Sequence, residues 1–188
     1  MGSWLAGHWT EILGFGTGAA CVLLAARRHI ATFPVGIANN VVFVVLFTGS
    51  ALYADAGLQV VYLVLGVHGW LAWGTRPSAG IRPTPAYAVV PLVVAGIAGT
   101  AVLAWVLAAY TDSTTELADA ATTAGSLVAQ YLLNRRWRET WLVWIAVDVA
   151  YVGLYAAKDL WITAALYAVF IGLCADGWRS WRREPVRA

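Results

Sequence analysis

Asp148 is the most expensive residue in this chain to place. It stands in the middle of the apolar run TWLVWIAVDVAYVGLYAA. An ionised carboxylate at the centre of a membrane helix costs about 2.5–3.5 kcal/mol on insertion scales, so it must face protein or a water-filled cavity. Trp137, Trp141, Trp144, Asp148, Tyr151 and Tyr155 follow one another at intervals of 4, 3, 4, 3 and 4 residues. That spacing puts all six on one helical face. Rings above and below a carboxylate form a slot for a flat, cationic ligand, and each cation–π contact contributes roughly 0.5–2 kcal/mol. A structural reading stands beside this one. The outer Trp residues could anchor the helix at the interface, and Asp148 could hydrogen-bond a neighbouring helix.

Other polar groups lie inside apolar runs. Asn40 interrupts an earlier stretch, on a face with Gly36, Phe43 and Phe47, and Asn39 stands beside it. Gln59, Tyr62, Gly66, Trp70 and Trp73 form a further stripe, with His68 off it. Asp119, Thr123, Ser126 and Gln130 form another. Small polar residues there also suit close helix packing, and Gln130, deeper and larger, is the better ligand candidate. Enzyme signatures are missing: there is no GxxxxGK[ST], HExxH or GxSxG. Cys21 and Cys174 both lie in apolar stretches without metal-ligand spacing, so no disulfide or metal framework is expected.

These residues must be positioned by membrane helices. The chain has 188 residues, of which 61% are hydrophobic and only 12% charged. One span takes roughly 20 residues, so seven spans fill the chain and leave no separate soluble domain. They read as Trp9–Ala26, Thr32–Ala51, Gly57–Gly74, Tyr87–Tyr110, Glu116–Leu133, Thr140–Ala157 and Leu160–Trp178. Connections are short except Thr75–Ala86, whose Pro, Gly and Ser content reads as a flexible linker. The start MGSWLAGHW has no basic residue, so the first span is expected to stay in the mature protein rather than leave as a signal peptide.

Eleven arginines (27, 28, 76, 82, 135, 136, 138, 179, 182, 183 and 187) fall in loops on one side, and Lys158 alone falls on the other. The positive-inside rule then makes the C-terminus cytoplasmic and the N-terminus external. Asp55, Asp112, Glu116 and Asp159 lie on the external side. With its lone lysine in a loop, the chain has no span-seven lysine for a retinal Schiff base. The net charge of +2 gives no footprint for nucleic acid.

Sliding the chain against itself by 108 residues aligns 27–73 with 135–181 without a gap, with 17 of 47 positions identical. Arg27-Arg28 matches Arg135-Arg136, Gly69-Trp70 matches Gly177-Trp178, and Trp73 matches Trp181. Asn40 takes the place of Asp148. Spans one to three and five to seven are therefore two copies of a three-helix unit in the same orientation, joined by span four. Parallel repeats of this kind are a transporter plan whose site lies between the repeats near the midplane.

The stretches LYADAGLQVVYLVLGVHGWLAW and LADAATTAGSLVAQYLLNRRWRETWLVWIAVDVAYVGLYAAKDLWITAALYAVF resemble the PnuC family of vitamin transporters. The resemblance covers roughly residues 10–181. It rests on Trp-x-x-Trp at Trp70 and Trp73, the SLVAQ run ending at Gln130, and Trp141 and Trp144 followed by Asp148. It implies a three-plus-one-plus-three helix arrangement related to SWEET proteins. It also implies homotrimers and facilitated diffusion of nicotinamide riboside, which a cytoplasmic kinase then traps by phosphorylation. Related members carry thiamine or riboflavin. Trp70 and Trp73 match the family's aromatic motif, and Trp144 matches its Asn-x-x-x-Trp motif, in which Thr140 replaces the Asn. Trp141, Asp148 and Gln130 stand at usual family positions.

The expectation is an all-α membrane protein forming one transporter domain. Repeat one is at about 9–74, a linker and helix four at 75–115, repeat two at 116–181, and a cytoplasmic tail at 182–188. Its substrate-binding residues would be Asn40, Gln59, Trp70, Trp73, Gln130, Thr140, Trp141, Trp144, Asp148 and Tyr151. It would need no cofactor or metal, and would work in the lipid of a bacterial inner membrane. Riboflavin or thiamine is the alternative cargo, and a non-transporting membrane sensor or assembly subunit is the alternative class.

Overall fold

Long runs of Val, Leu and Ala without interior turn signals form helices here, and the short polar breaks between them form the caps. The computed structural model describes residues 16–49, 53–110, 115–157 and 159–183. Trp9, Asp112, Lys158 and Arg187, and the side chain of Asp55, lie outside what it describes. The described helices are α1 (Gly16–Ala26), α2 (Thr32–Gly49), α3 (Tyr53–Gly74), α4 (Ala86–Tyr110), α5 (Glu116–Asn134), α6 (Thr140–Ala157) and α7 (Trp161–Arg182). Among the described residues there is no strand, only one isolated parallel bridge. Four of the helices (α2, α3, α4 and α6) are long and apolar enough to cross a membrane by length and composition. The more polar α5 buries Ala120, Thr122, Ala124, Ser126 and Ala129 against protein. A helix enclosed by others need not be apolar all round.

The chain divides into two compact units, Met1–Ser78 and Ala79–Ala188. In the first, α2 packs on α3. In the second, α5 packs on both α4 and α6, and α6 packs on α7. Small residues set these approaches. Gly96 and Gly99 of α4 admit Val128 and Ala124 of α5, and Gly125 of α5 admits a Val147 methyl of α6.

Local geometry recurs between the units at the sequence offset. After α1, Arg28 takes φ 59°, and after α5, Arg136 takes φ 56°. The bonds around them match: Arg28 N–H to Ala25 O and His29 N–H to Leu24 O, then Arg136 N–H to Leu133 O and Trp137 N–H to Leu132 O. Both are Schellman caps with arginine at the left-handed position that glycine usually fills. Asp159, φ 57°, closes α6 the same way. Next, Thr32 Oγ1 donates to Cys21 O at 3.0 Å, and Thr140 Oγ1 donates to Ala129 O at 2.8 Å. Phe33 meets Trp73 edge-on at 5.1 Å, and Trp141 meets Trp181 edge-on at 5.3 Å. Each unit is thus pinned by one hydroxyl and one aromatic pair at corresponding positions. The copies diverge where Thr17 Oγ1 donates to Asn39 Oδ1 at 2.8 Å. The corresponding pair in the second unit is Gly125 against Val147.

The Thr75–Ala86 stretch is a correction to the sequence expectation. It is not a loose linker across its length. Ile81 is buried, and Arg82 N–H donates to Arg136 O at 3.2 Å while Arg138 N–H donates to Arg82 O at 3.1 Å. Proline and glycine forbid helix here, but they leave other backbone groups able to find partners, and the α5–α6 loop supplies them.

Candidate functional site

In the second unit, Asp148 on α6 is 5% exposed. One of its carboxylate oxygens accepts from Cys174 Sγ of α7 at 3.7 Å. Among the described residues no arginine, lysine or histidine forms an ion pair with it. One turn further on, Tyr151 lies 4.6 Å from the Tyr167 ring of α7 and 5.9 Å from Tyr155. Tyr155 stacks on Tyr167 at 5.4 Å. One carboxylate, one thiol and three phenols from α6 and α7 therefore converge.

The first unit carries a different version. Phe43 stacks on Phe47 at 5.5 Å, where the second unit stacks Tyr151 on Tyr155. Asn40 and Gln59 stand at the positions of Asp148 and Tyr167 and are half-buried. The first unit thus presents carboxamides and hydrocarbon rings, and the second a carboxylate and phenols. Tyr167 and Cys174 do not stand out as site residues in the sequence. They are legible all the same, because the 108-residue offset carries the Gln59 and Gly66 stripe onto them.

Other expected residues sit elsewhere. Trp73 and Trp141 are each 2% exposed, with their rings enclosed by helix packing. In this conformation neither ring presents an open face. The Trp141 Nε1–H is buried as well, without an acceptor among the described residues. Thr140 is fully buried and its hydroxyl is committed to Ala129 O. It fastens α5 to α6, as Thr32 fastens α1 to α2. Trp70 is 45% exposed on α3. Trp144 is half-buried. Gln130, also half-buried, donates from Nε2 to Asn134 Oδ1 at 3.0 Å. His68, off its stripe, is exposed. Trp137 is not an interface anchor: it is buried with Ala88 and Leu132, and Arg135 lies over its ring at 5.4 Å.

At the α5–α6 loop, Glu139 accepts through Oε2 from the Thr84 N–H at 2.7 Å and the Thr84 hydroxyl at 2.8 Å. Its Oε1 pairs with Arg138 Nε at 3.2 Å. Partial burial pushes the carboxyl pKa up, but the bonds from Thr84 and Arg138 outweigh it and hold Glu139 below the ordinary range. Arg136 Nη1 donates to Ala79 O at 2.8 Å, and burial lowers its pKa.

Helices of spanning length, buried polar groups within them and a repeated sequence and cap pattern define a multi-pass membrane protein of transporter type. A family profile described as nicotinamide mononucleotide transporter matches residues 8–183. The chain belongs to that family, in line with its resemblance to PnuC. It is similar to the nicotinamide riboside transporter PnuC of Escherichia coli (strain K12), with 23% identity over 202 residues covering 92% of this chain and 84% of the relative. The Haemophilus influenzae protein of the same name is 25% identical over 186 residues, covering 93% of this chain and 80% of the relative. Among solved structures, the crystal structure of the vitamin B3 transporter PnuC superposes with a TM-score of 0.73 at 21% identity, covering 96% of this chain and 83% of that one. At that identity the match establishes the fold.

Proposed function

We propose that the chain imports nicotinamide riboside by facilitated diffusion across a bacterial inner membrane, with cytoplasmic phosphorylation trapping the product. The observation that carries this reading is Asp148, a buried carboxylate in a spanning helix without a basic partner among the described residues. A fixed pyridinium cation is the complementary charge. Desolvated together, the two attract far more strongly than they do in water. The names of the relatives point to the same cargo.

Asp148 balances the ring charge, and Tyr151 and Trp144 line the slot on the second unit. Asn40, Gln59 and Gln130 supply amide and hydroxyl hydrogen bonds. Trp70 offers an exposed ring, and Trp141 seats α6 against Gly177 and Trp181 of α7. Trp73 and Thr140 hold the helices that carry these groups. The arrangement is three-plus-one-plus-three, with two parallel repeats related as in SWEET-like folds. The N-terminus is external and the C-terminus cytoplasmic, following the arginine distribution. The repeats alternate access by rocking, and the protein assembles as a homotrimer.

Uptake of labelled nicotinamide riboside into vesicles, competed with unlabelled riboside, riboflavin and thiamine, tests this reading. Competition by the riboside alone supports it. Uptake of either vitamin without uptake of the riboside overturns the cargo, and ligand binding without any flux overturns transport.

A further inference from the structure

The connector from α3 to α4 is fastened at its far end to its own unit. Thr75 still belongs to the first unit: its N–H and hydroxyl both donate to Leu71 O at 2.9 Å, closing α3. From Ala79 onward the bonds run into the second unit. Ala79 O accepts from Arg136, Arg82 exchanges two backbone bonds with Arg136 and Arg138, and Thr84 gives two donors to one Glu139 oxygen. Ile81 is buried beneath them. Ala86 then begins α4, which packs on α5. The two hydrogen bonds to an ionised Glu139 are of the stronger, charge-assisted kind. In the first unit the position corresponding to Glu139 is Ala31, so the duplicated loop carries no carboxylate there.

We infer that Glu139 and Thr84 form a latch that fastens residues 79–85 and α4 to α5–α7, so that they move as one body and the connector bends during transport ahead of Ala79. This rests on the transport reading, since a body that never moves needs no hinge. Glu139 acts as a positioning residue: it touches no cargo and transmits through Thr84. The latch keeps the eleven-residue connector from absorbing the motion along its whole length. A bend confined to a few residues moves the attached helix as a lever, whereas a loose tether of the same length would leave α4 uncoupled.

Two measurements on the full-length protein test this. Hydrogen exchange reads the latch without any flux. Glu139→Ala should speed exchange of the Arg82, Thr84 and Arg138 amides by about tenfold or more while α5 and α6 keep their protection. Unchanged exchange would overturn the latch, whatever the protein carries. Uptake reads its role. Glu139→Ala should lower the maximal rate with little change in half-saturation, and Glu139→Gln, which can still accept from Thr84, should recover part of the loss. A Thr84→Cys/Glu139→Cys variant joined by a short thiol cross-linker should transport faster than the same variant unjoined. The wild-type chain is treated alongside to control for Cys21 and Cys174. Arrest of uptake on cross-linking, with the unjoined variant active, would show that the latch must open and would overturn the proposal. Wild-type protein without riboside uptake would refute the transport reading instead, and the exchange result would still decide whether the latch exists.

Discussion

Gly177 on α7 is the position where a single methyl group would do the most damage. A Cβ there would lie 2.6–2.7 Å from three ring atoms of Trp141, whereas ordinary contact begins at 3.4 Å. The indole would have to retreat by roughly 0.7 Å, and it has nowhere to go. It is almost fully buried, and Trp181 holds it edge-on at 5.3 Å. Overpacking costs about 1–3 kcal/mol, and a rigid ring trapped on both sides puts this case at the upper end. Alanine's helix propensity returns about 1 kcal/mol. The net loss is about 2 kcal/mol, a fall in Tm of about 4–8 °C for a chain of this size. Gly172 on the same helix is the internal control, because a Cβ there would meet nothing within 4 Å. Gly172→Ala should therefore gain up to about 1 kcal/mol from propensity alone. Trp141→Phe copies the first unit, where Phe33 packs against Trp73, and it also removes the buried indole N–H without an acceptor among the described residues. Added to Gly177→Ala, it should recover most of the loss. Thermal unfolding in detergent, followed by the remaining soluble fraction, reads the wild type and these three variants. Equal shifts for Gly177→Ala and Gly172→Ala would refute the reasoning, since they would show that the indole exerts no steric constraint.

Asp148→Asn should cut uptake of labelled nicotinamide riboside by about tenfold or more while the protein stays folded, since a charge-assisted contact is worth about 1.5–3 kcal/mol; undiminished uptake would exclude the counter-charge role. Thr140→Val should cost about 1 kcal/mol of stability for its lost bond to Ala129 O. It should leave ligand affinity unchanged in a tryptophan-quenching titration, and weaker binding would put the hydroxyl back in the site. Glu139 should stay ionised below the usual glutamate pKa of 4.5. A carboxyl whose folded pKa is lowered contributes stability above its unfolded pKa and loses it as pH falls through the folded one. The infrared carboxylate band lost in Glu139→Gln should therefore persist in wild type at pH values where exposed glutamates have protonated, and loss at the ordinary pH would contradict the bonds to Thr84 and Arg138.

Most helix positions can be read from hydrophobic runs, and α2 through α7 lie within a few residues of the expected spans. The 108-residue offset anticipates paired features it cannot itself describe, such as the matching caps at Arg28 and Arg136 and the matching bonds of Thr32 and Thr140. The connector differs from its expectation because composition reports what a segment cannot become, not what it docks against. Trp141 and Trp144 share a helical stripe, and periodicity assigns them one role. One is enclosed and the other is half-buried.

That pair marks the division. Local order suffices to say where the chain is helical, which residues share a face, and that one sequence pattern occurs twice, because those follow from a 3.6-residue period and from identity at a constant offset. Which residues of a face remain open to a ligand depends on the neighbouring helix. Gly177 leaves room for the Trp141 ring to bury itself, while Cys174 and Tyr167 come up beside Asp148 and Tyr151. Those partners lie 26, 16 or more residues away along the chain. Their approach is set by how closely two helices pack, a quantity no single stripe contains.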